Sequence, residues 1–185
     1  MSWQIDPSHS QIDFSVRHLM ISNVRGRFER FVGTVEFDEE SPTRSTVEVQ
    51  IEAASINTRD PNRDTHLKSP DFLYAEKHPY LYFKGRRIEQ LDKTHFRIIG
   101  DLTIRDVTRE VVLDAEYSGQ SKSPWGTVSA GLSAQTVINR KDWGLNWNQA
   151  LETGGWLVGD EVKIGIELEI VKQAEPASEL DAVPA

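Results

Sequence analysis

A histidine falls on the apolar side of the first clear strand pattern, in the stretch IDFSVRHLM. Ile12, Phe14 and Val16 alternate with polar residues, and the same period of two brings His18 onto the apolar face. An imidazole in an apolar pocket could serve as a general acid or base. It could equally be a structural residue that bonds to the backbone or to a neighbouring side chain. The residues favour the structural role and leave acid–base catalysis as the alternative.

The histidines as a group do not predict a metal centre. None has the His-x-x-x-His spacing of many zinc sites, and no carboxylate partner recurs near them in the sequence. The chain has no cysteine, so thiolate ligands and disulfides are excluded. We therefore predict no metal among the five histidines, which are His9, His18, His66, His78 and His95.

Nucleophilic catalysis has equally little support. The segment PSHSQ sets Ser8 and His9 side by side, but neighbours on a strand point to opposite faces, so we expect no serine–histidine contact. The sequence also has no Gly-x-Ser-x-Gly elbow, no phosphate-binding loop and no dinucleotide fingerprint. We predict no catalytic residue and no cofactor.

The composition is that of one globular domain. The chain has 185 residues, of which 38% are hydrophobic and 27% charged, and its net charge of -8 argues against nucleic acid or an anionic membrane as partner. The basic cluster in VRGRFER is short and is interpreted as a solvated strand end. The start, MSWQIDPSHS, has neither a basic region nor an apolar run, and no later segment reaches the length of a membrane span. We expect a cytoplasmic protein.

Eight segments alternate apolar and polar residues with a period of two, which predicts β-strands. They are Ile12–Leu19, Phe28–Asp38, STVEVQIEA, YLYFKGRRI, HFRIIGDLTI, REVVLDAEY, GTVSAGLSAQTVI and EVKIGIELEI. Short polar turns join most of them, so neighbouring strands should pair antiparallel. The strands are long and keep one apolar face. The sequence therefore predicts an all-β fold, a closed eight-stranded antiparallel barrel rather than a two-sheet sandwich.

A longer interruption, residues 57–79, predicts a short helical insertion. Asp60-Pro61 is typical of an N-cap followed by proline in the first turn, and Ser69-Pro70 repeats the pattern and predicts a second short helix. The C-terminal segment QAEPASELDAVPA has no apolar period. We predict a single barrel domain over residues 1–172 and a flexible tail over residues 173–185.

Three of the five tryptophans lie in one connection rich in glycine and asparagine, KDWGLNWNQALETGGWLVGD. Each of Trp143, Trp147 and Trp156 taken alone is best explained by packing. Taken together they predict a plug or rim at one end of the barrel, where aromatic side chains suit a long apolar ligand.

Several blocks in the same order give the chain a family resemblance. They are WQIDPSHSQIDFSVRHLMISNVRGRF, ASINT, RDTHLKSPDFL, HPYLYFKG, GDLTIRDVTREVVL and INRKDWGL. From about Trp3 to Val171 the chain resembles the YceI-like polyisoprenoid-binding family, in particular its bacterial members without a secretion signal. The resemblance implies a lipocalin-like barrel, a homodimer, and an apolar tunnel that binds a polyprenyl lipid or isoprenoid quinone precursor without catalysis. It also implies that His18 supplies one polar contact in that tunnel.

The ligand-binding residues that we predict combine the inward faces of the strands with the helical cover. The cavity wall is expected to include Phe14, Val16, His18, Phe37, Val49, Ile51, Ile98, Leu113, Leu132 and Ile164, and the mouth or helical cover is expected to include Phe72, Leu73, Trp143 and Trp147. Arg25, Arg27 and Lys141 are the basic candidates for a phosphate-bearing head.

Three functions stay open at this point. The chain could be a carrier, store or sensor of lipid, a small barrel enzyme with His18 as acid–base, or an interaction module whose barrel is filled by its own side chains. The small residues of VSAGLSA argue against a filled barrel, because they leave space.

Overall fold

The computed structural model describes residues 1–174, which form eleven strands and one α-helix. The helix α1 is Pro61–Leu67, and the strands are β1 (Ser2–Ile5), β2 (Gln11–His18), β3 (Ser22–Phe28), β4 (Phe31–Glu36), β5 (Thr46–Glu52), β6 (Ile56–Asn57), β7 (Tyr80–Gln90), β8 (His95–Ile104), β9 (Val107–Lys122), β10 (Val128–Asn139) and β11 (Val158–Lys172). In this described part of the chain, no helix is long and apolar enough to cross a lipid bilayer.

The first six of the eleven strands combine in pairs, and each pair forms one interrupted strand of the barrel wall. With the five remaining strands, the wall therefore has eight. β1 and β2 both pair with β11, through Trp3 opposite Lys172 and Val16 opposite Val162, and a 3-10 turn over Pro7–His9 separates them. β3 and β4 form the next interrupted strand, because β3 pairs with β2 and β4 with β1. β5 and β6 form the third, pairing with β4 and β3. Strands β7 to β11 supply the other five.

The barrel closes through antiparallel neighbours. The order is β1-β4-β5-β7-β8-β9-β10-β11, and β11 returns to β1. The predicted all-β fold, an eight-stranded antiparallel barrel with a short helical insertion, is confirmed. We use "helical end" for the end that carries α1, residues 70–79 and the connection of residues 140–157, and "far end" for the opposite one.

Two local predictions were wrong. The predicted strand Phe28–Asp38 is broken between β3 and β4, where the Glu29 amide donates to Ser55 and the Glu52 amide to Arg30. The second helix after Pro70 is replaced by turns, because the amides of Leu73 and Ala75 donate back to residues 67 and 68 instead of continuing a helical ladder.

Glycines make room for aromatic rings inside the wall. A Cβ atom on Gly26 would lie 2.5 Å from Phe14 Cζ, and one on Gly100 would lie 2.6 Å from Phe83 Cζ. Such glycines are typical of close approach in small barrels. The far end is tightly packed around Trp3 and Ile170, whereas the middle of the barrel is not filled. Apart from residues 173 and 174, the predicted flexible tail lies outside the described residues.

Candidate functional site

An apolar cavity of about 400 Å³ occupies the barrel interior. It extends from Phe96 and Tyr117 toward the far end to His66 and Trp147 at the helical end, and every strand except β1 contributes to its lining. Most lining side chains are aliphatic or aromatic. A space of this kind receives apolar molecules and gives them few polar contacts.

Thirteen of the fourteen predicted ligand-binding residues line this cavity. Inward-facing strand positions supply most of them, and the segment after α1 supplies two. They are Phe14, Val16, His18, Phe37, Val49, Ile51, Phe72, Leu73, Ile98, Leu113, Leu132, Trp147 and Ile164. Their contact with a ligand stays a prediction.

Trp143 is the exception: it was predicted at the mouth or helical cover, but it does not line the cavity. Its side chain is only 3% exposed, and its indole N–H donates to the Leu102 carbonyl at 2.9 Å. The 3-10 turn Arg140–Trp143 directs the indole toward β8, where a buried N–H finds the acceptor that it needs. Trp143 is therefore part of the packed core, whereas Trp147 lines the cavity.

An aromatic cluster built around His66 closes part of the helical end. The ring of His66 meets Trp147 edge to face at 4.5 Å and Phe72 at 5.1 Å between centroids. Its Nε2 lies 2.9 Å from an Asp71 carboxylate oxygen, which fixes the ring orientation. The sequence pattern did not single out His66, because a helical residue of α1 shows no period-two signal.

His18 sits in the wall at the same end, half-buried at the end of β2. Within residues 1–174 its imidazole has no hydrogen-bond partner. A polar group of that kind on an apolar wall is suited to bind a polar atom of a ligand. This placement agrees with the inward face predicted from the alternation.

The basic residues predicted for a head group do not reach the cavity. Arg25 and Arg27 are exposed on the outer face of β3, and Arg27 forms an ion pair with Glu29 at 3.2 Å. Lys141 is also exposed and lies 3.4 Å from Asp160. Alternation explains the error, because Val24, Gly26 and Phe28 take the inward positions of that strand.

Arg17, Arg63 and Arg140 do line the cavity, and Arg140, which the sequence did not single out, is the most deeply buried of the three. Only 3% of it is exposed. Its guanidinium donates to the carbonyls of Gly159 at 2.8 Å, Trp147 at 2.9 Å and Val158 at 3.4 Å, and also to Leu145. Burial lowers the pKa of Arg140, while the carboxylate of Asp160 at 3.8 Å acts in the opposite direction. Arg140 thus ties the connection that carries Trp147 to the start of β11.

Known proteins resemble this chain in sequence and in fold. The model of the YceI-like domain matches residues 3–170. The chain belongs to the YceI-like family. A UPF0312 protein of Staphylococcus aureus is 37% identical over 169 residues, which cover 91% of this chain and 96% of the relative.

Solved structures support the same assignment of the YceI-like fold. The YceI protein of Campylobacter jejuni is 33% identical with a TM-score of 0.74, covering 85% of this chain and 90% of that one. A polyisoprenoid-binding domain from Saccharophagus degradans is 12% identical with a TM-score of 0.66, covering 92% of this chain and 98% of that one. The latter likeness shows the shared fold.

On the outside of this YceI-like barrel, the expectation that Ser8 and His9 do not meet was wrong. Residues 7–9 form a 3-10 turn instead of a strand, so Ser8 Oγ lies 3.2 Å from His9 Nδ1. The same Nδ1 lies 2.8 Å from an Asp6 oxygen. A catalytic triad needs the serine and the carboxylate on different ring nitrogens. The three residues therefore form a capped turn, in which Asp6 also accepts from the Ser8 amide at 2.9 Å.

The expectation that the histidines lack carboxylate neighbours was also wrong. His9, His66 and His95 each pair with an aspartate on their own turn or loop, at 2.8 to 2.9 Å. Among the described residues, Asp6, His9 and Glu169 bring one ligand-type atom each within 4.8 Å of one another. Glu169 comes from β11, so sequence spacing could not reveal it. Exposed groups that already bond to each other are not by themselves a metal site, and we assign none.

These exposed pairs predict a pH dependence in the YceI-like barrel. The hydrogen bond that the His9 ring donates to Asp6 raises the pKa of His9 above its ordinary 6.5, and the same bond lowers the pKa of Asp6 to about 2. Hydrogen bonds from Thr94 and His95 likewise lower the pKa of Asp92 to about 2, and Asp92 raises the pKa of His95.

The sign follows from linkage. Because the pKa of His9 is raised in the folded protein, its pairing stabilises the fold below pH 6.5, and this stabilisation is lost as the pH rises through the raised pKa. Because the pKa of Asp6 is lowered, its pairing stabilises the fold above pH 3.8, and this stabilisation is lost as the pH falls toward 2. Both pairs therefore contribute most to stability between pH 3.8 and pH 6.5.

In an NMR titration, Asp6→Asn should bring the pKa of His9 back toward 6.5 and leave that of His95 unchanged. An unchanged His9 titration in this variant would contradict the pairing.

Proposed function

We propose that the protein binds a long-chain isoprenoid or a similar lipid inside the barrel. The observation that carries the proposal is the cavity of about 400 Å³, whose lining is apolar along the barrel. Small polar substrates would find almost nothing there to replace their bonds to water. The name of the Saccharophagus degradans domain, a polyisoprenoid-binding domain of the same fold, supports the same ligand class.

Apolar contact supplies the driving force in this proposal. Burying a CH₂ group contributes up to about 0.8 kcal/mol, so one five-carbon isoprene unit contributes at most about 4 kcal/mol. Several units would exceed the strongest known affinities, so part of this free energy is lost in ordering the chain. Tail length should therefore affect affinity more than the chemistry of the head.

We propose that the polar head of the ligand lies at the helical end. His18 and His66 line the cavity there, and Arg63 lines it as well, although its guanidinium already donates to Thr58. We propose His18 as the anchor, because its imidazole is the one that Asp71 does not hold. A polyprenyl lipid and an isoprenoid quinone precursor would both present a head group to this position.

We further propose that the protein acts as a carrier, store or sensor of this lipid in the cytoplasm, as a homodimer. The support is the net charge of -8, ordinary for a globular protein outside the membrane, and the family resemblance for the dimer. Each of the three roles needs reversible binding without chemistry, and an apolar cavity offers that.

The first test is native mass spectrometry of protein purified without detergent, followed by organic extraction. We expect one long-chain isoprenoid per chain, together with the mass of the oligomer. Protein that emerges empty and cannot be loaded with a polyprenyl lipid supplied in cyclodextrin would overturn the proposal.

Binding without turnover is tested with His18→Gln, which keeps a hydrogen-bonding side chain but cannot transfer a proton at neutral pH. We expect the affinity for polyprenyl lipid to fall by no more than about tenfold, the value of one hydrogen bond. The lipid should also be recovered chemically unchanged from both proteins. Conversion by the wild type that stops in His18→Gln would instead support the enzyme.

A further inference from the structure

The turn between β2 and β3 exposes apolar side chains on a strained backbone. Leu19 and Met20 have φ angles of +53° and +66°, a region that bulky residues rarely adopt. Ile21 follows with 77% of its surface exposed, and Met20 is 53% exposed. Asparagine and glycine are the usual residues of such turns, so these apolar side chains weaken the turn without being buried. Strain of this kind is commonly found at functional sites.

A second hairpin meets this turn. Ala150 pairs with Trp156 across Gly154 and Gly155, and Trp156 is 56% exposed. Met20 packs on the backbone of this hairpin, because a Cβ atom on Gly155 would lie 3.1 Å from Met20 Cγ. The two hairpins together form one surface, which we call the apolar tip and define as Leu19, Met20, Ile21 and Trp156.

Cations flank the apolar tip although the whole chain is acidic. Residues 14–28 contain Arg17, Arg25 and Arg27 and no carboxylate, although Arg27 is paired with Glu29 at 3.2 Å. Lys163 is exposed on β11 opposite Ser15. The nearby carboxylates are Glu152 in the second hairpin and Asp160 and Glu161 at the start of β11, where Asp160 already pairs with Lys141 at 3.4 Å. In a chain with a net charge of -8, residues 14–28 of the β2–β3 hairpin therefore form a segment whose own charges are all positive.

The apolar tip continues directly into the cavity. His18 and Leu157 both line the cavity, and the Leu19 amide donates to the Leu157 carbonyl at 2.9 Å. An exposed tryptophan, aliphatic side chains and neighbouring arginines are the composition that inserts into the interface of a bilayer containing anionic lipid.

We propose that the apolar tip docks the protein on an anionic phospholipid surface. This inference rests on the proposed function, because docking would let a long-chain lipid pass between the bilayer and the helical end of the cavity. A second copy of the chain fits the surface less well. A two-fold contact places the same patch on both sides, so the arginines beside one tip would come close to those beside the other.

The test uses mixed phosphatidylcholine and phosphatidylglycerol vesicles. The double variant Met20→Ser/Ile21→Ser should bind them at least about tenfold more weakly than the wild type, because it loses the inserted apolar surface. Val32→Ser is the matched control, since Val32 is 61% exposed on the outer face of β4 and should not contact the bilayer. Salt should weaken binding of the wild type.

Brominated phospholipids add a test of orientation. They should quench the fluorescence of the wild type, and Trp156→Phe should remove that quenching. Trp125→Phe should not, because Trp125 is 89% exposed in the β9–β10 hairpin at the far end. Quenching that depends on Trp125 would contradict the proposed orientation.

Loading from cyclodextrin separates this inference from the proposed function. If wild type and double variant load equally but neither binds vesicles, the docking inference is wrong and the lipid-binding function stands. If neither loads, the proposed function fails. A double variant that loses dimerisation, with vesicle binding unchanged, would overturn docking and assign the tip to a protein interface.

Discussion

Replacing Ala134 by tryptophan should abolish binding of a polyprenyl lipid while the barrel still folds. Ala134 faces inward on β10 and lines the cavity, with Ala115 opposite it on β9 and Ile166 on β11. An indole at this position projects into the space that the ligand is proposed to use. Excluding a single isoprene unit removes up to about 4 kcal/mol of apolar contact, so affinity should fall by about 100-fold or more. Quenching of intrinsic fluorescence or a competition assay with a fluorescent fatty chain measures the change.

The neighbouring residue supplies the control for this prediction. Gln135 is exposed on the outer face of the same strand, so Gln135→Trp adds the same side chain outside the barrel and should leave affinity within about threefold. Thr136→Phe is a second inward variant that obstructs the cavity nearer to the helical end, should Ala134→Trp not fold. If the inward variants fold and bind the lipid as the wild type does, the ligand is bound elsewhere.

Most strands of the barrel wall could be predicted, because burial of one side of a strand makes apolar and polar residues alternate along the sequence. β10 shows this clearly, since Leu132, Ala134 and Thr136 line the cavity and Gln135 does not. β3 was missed because its inward positions include Gly26, which has no side chain to register as apolar. The glycine is there because Phe14 fills the space that its Cβ atom would need. The sequence could not reveal such a contact between two strands before their register was known.

The connections at the helical end were predicted less well, because their side chains follow no period. Trp143 and Trp147 lie four residues apart in the same connection, yet one packs against the backbone of β8 and the other lines the cavity. The difference arises from the 3-10 turn at Arg140–Trp143 and the left-handed Gly144 after it. Arg140 itself resembled a surface residue, as most arginines are. Its role depends on carbonyls at residues 145, 147, 158 and 159, which only the folded connection brings together.

Replacing Arg140 by methionine should therefore cause a large loss of stability. Methionine fills much of the same volume but donates no hydrogen bonds, so the carbonyls of Leu145, Trp147 and Gly159 lose the Arg140 donor. The Val158 carbonyl still accepts from the Asn148 side chain at 2.7 Å. An unsatisfied buried acceptor costs about 1–3 kcal/mol, and water will reach some of these groups, so we expect a loss of about 3 kcal/mol in the free energy of unfolding. For a chain of this size the midpoint of thermal unfolding should fall by about 6–12 °C. Denaturant titration measures the free energy and a thermal melt measures the midpoint, both followed by circular dichroism.

Two further variants show whether Arg140 stabilises the fold through the geometry of its guanidinium or through its charge. Lys141→Met removes the adjacent cation, which is exposed and also lies near Asp160, and should change stability by no more than about 0.5 kcal/mol. Arg140→Lys keeps the charge but cannot reach carbonyls on both sides with a planar fork, so its stability should lie between those of the wild type and Arg140→Met. If Arg140→Lys equals the wild type, the charge beside Asp160 is the stabilising feature and the carbonyl network is not. If it equals Arg140→Met, the network accounts for the whole effect, and the wall that carries Trp147 depends on one buried side chain.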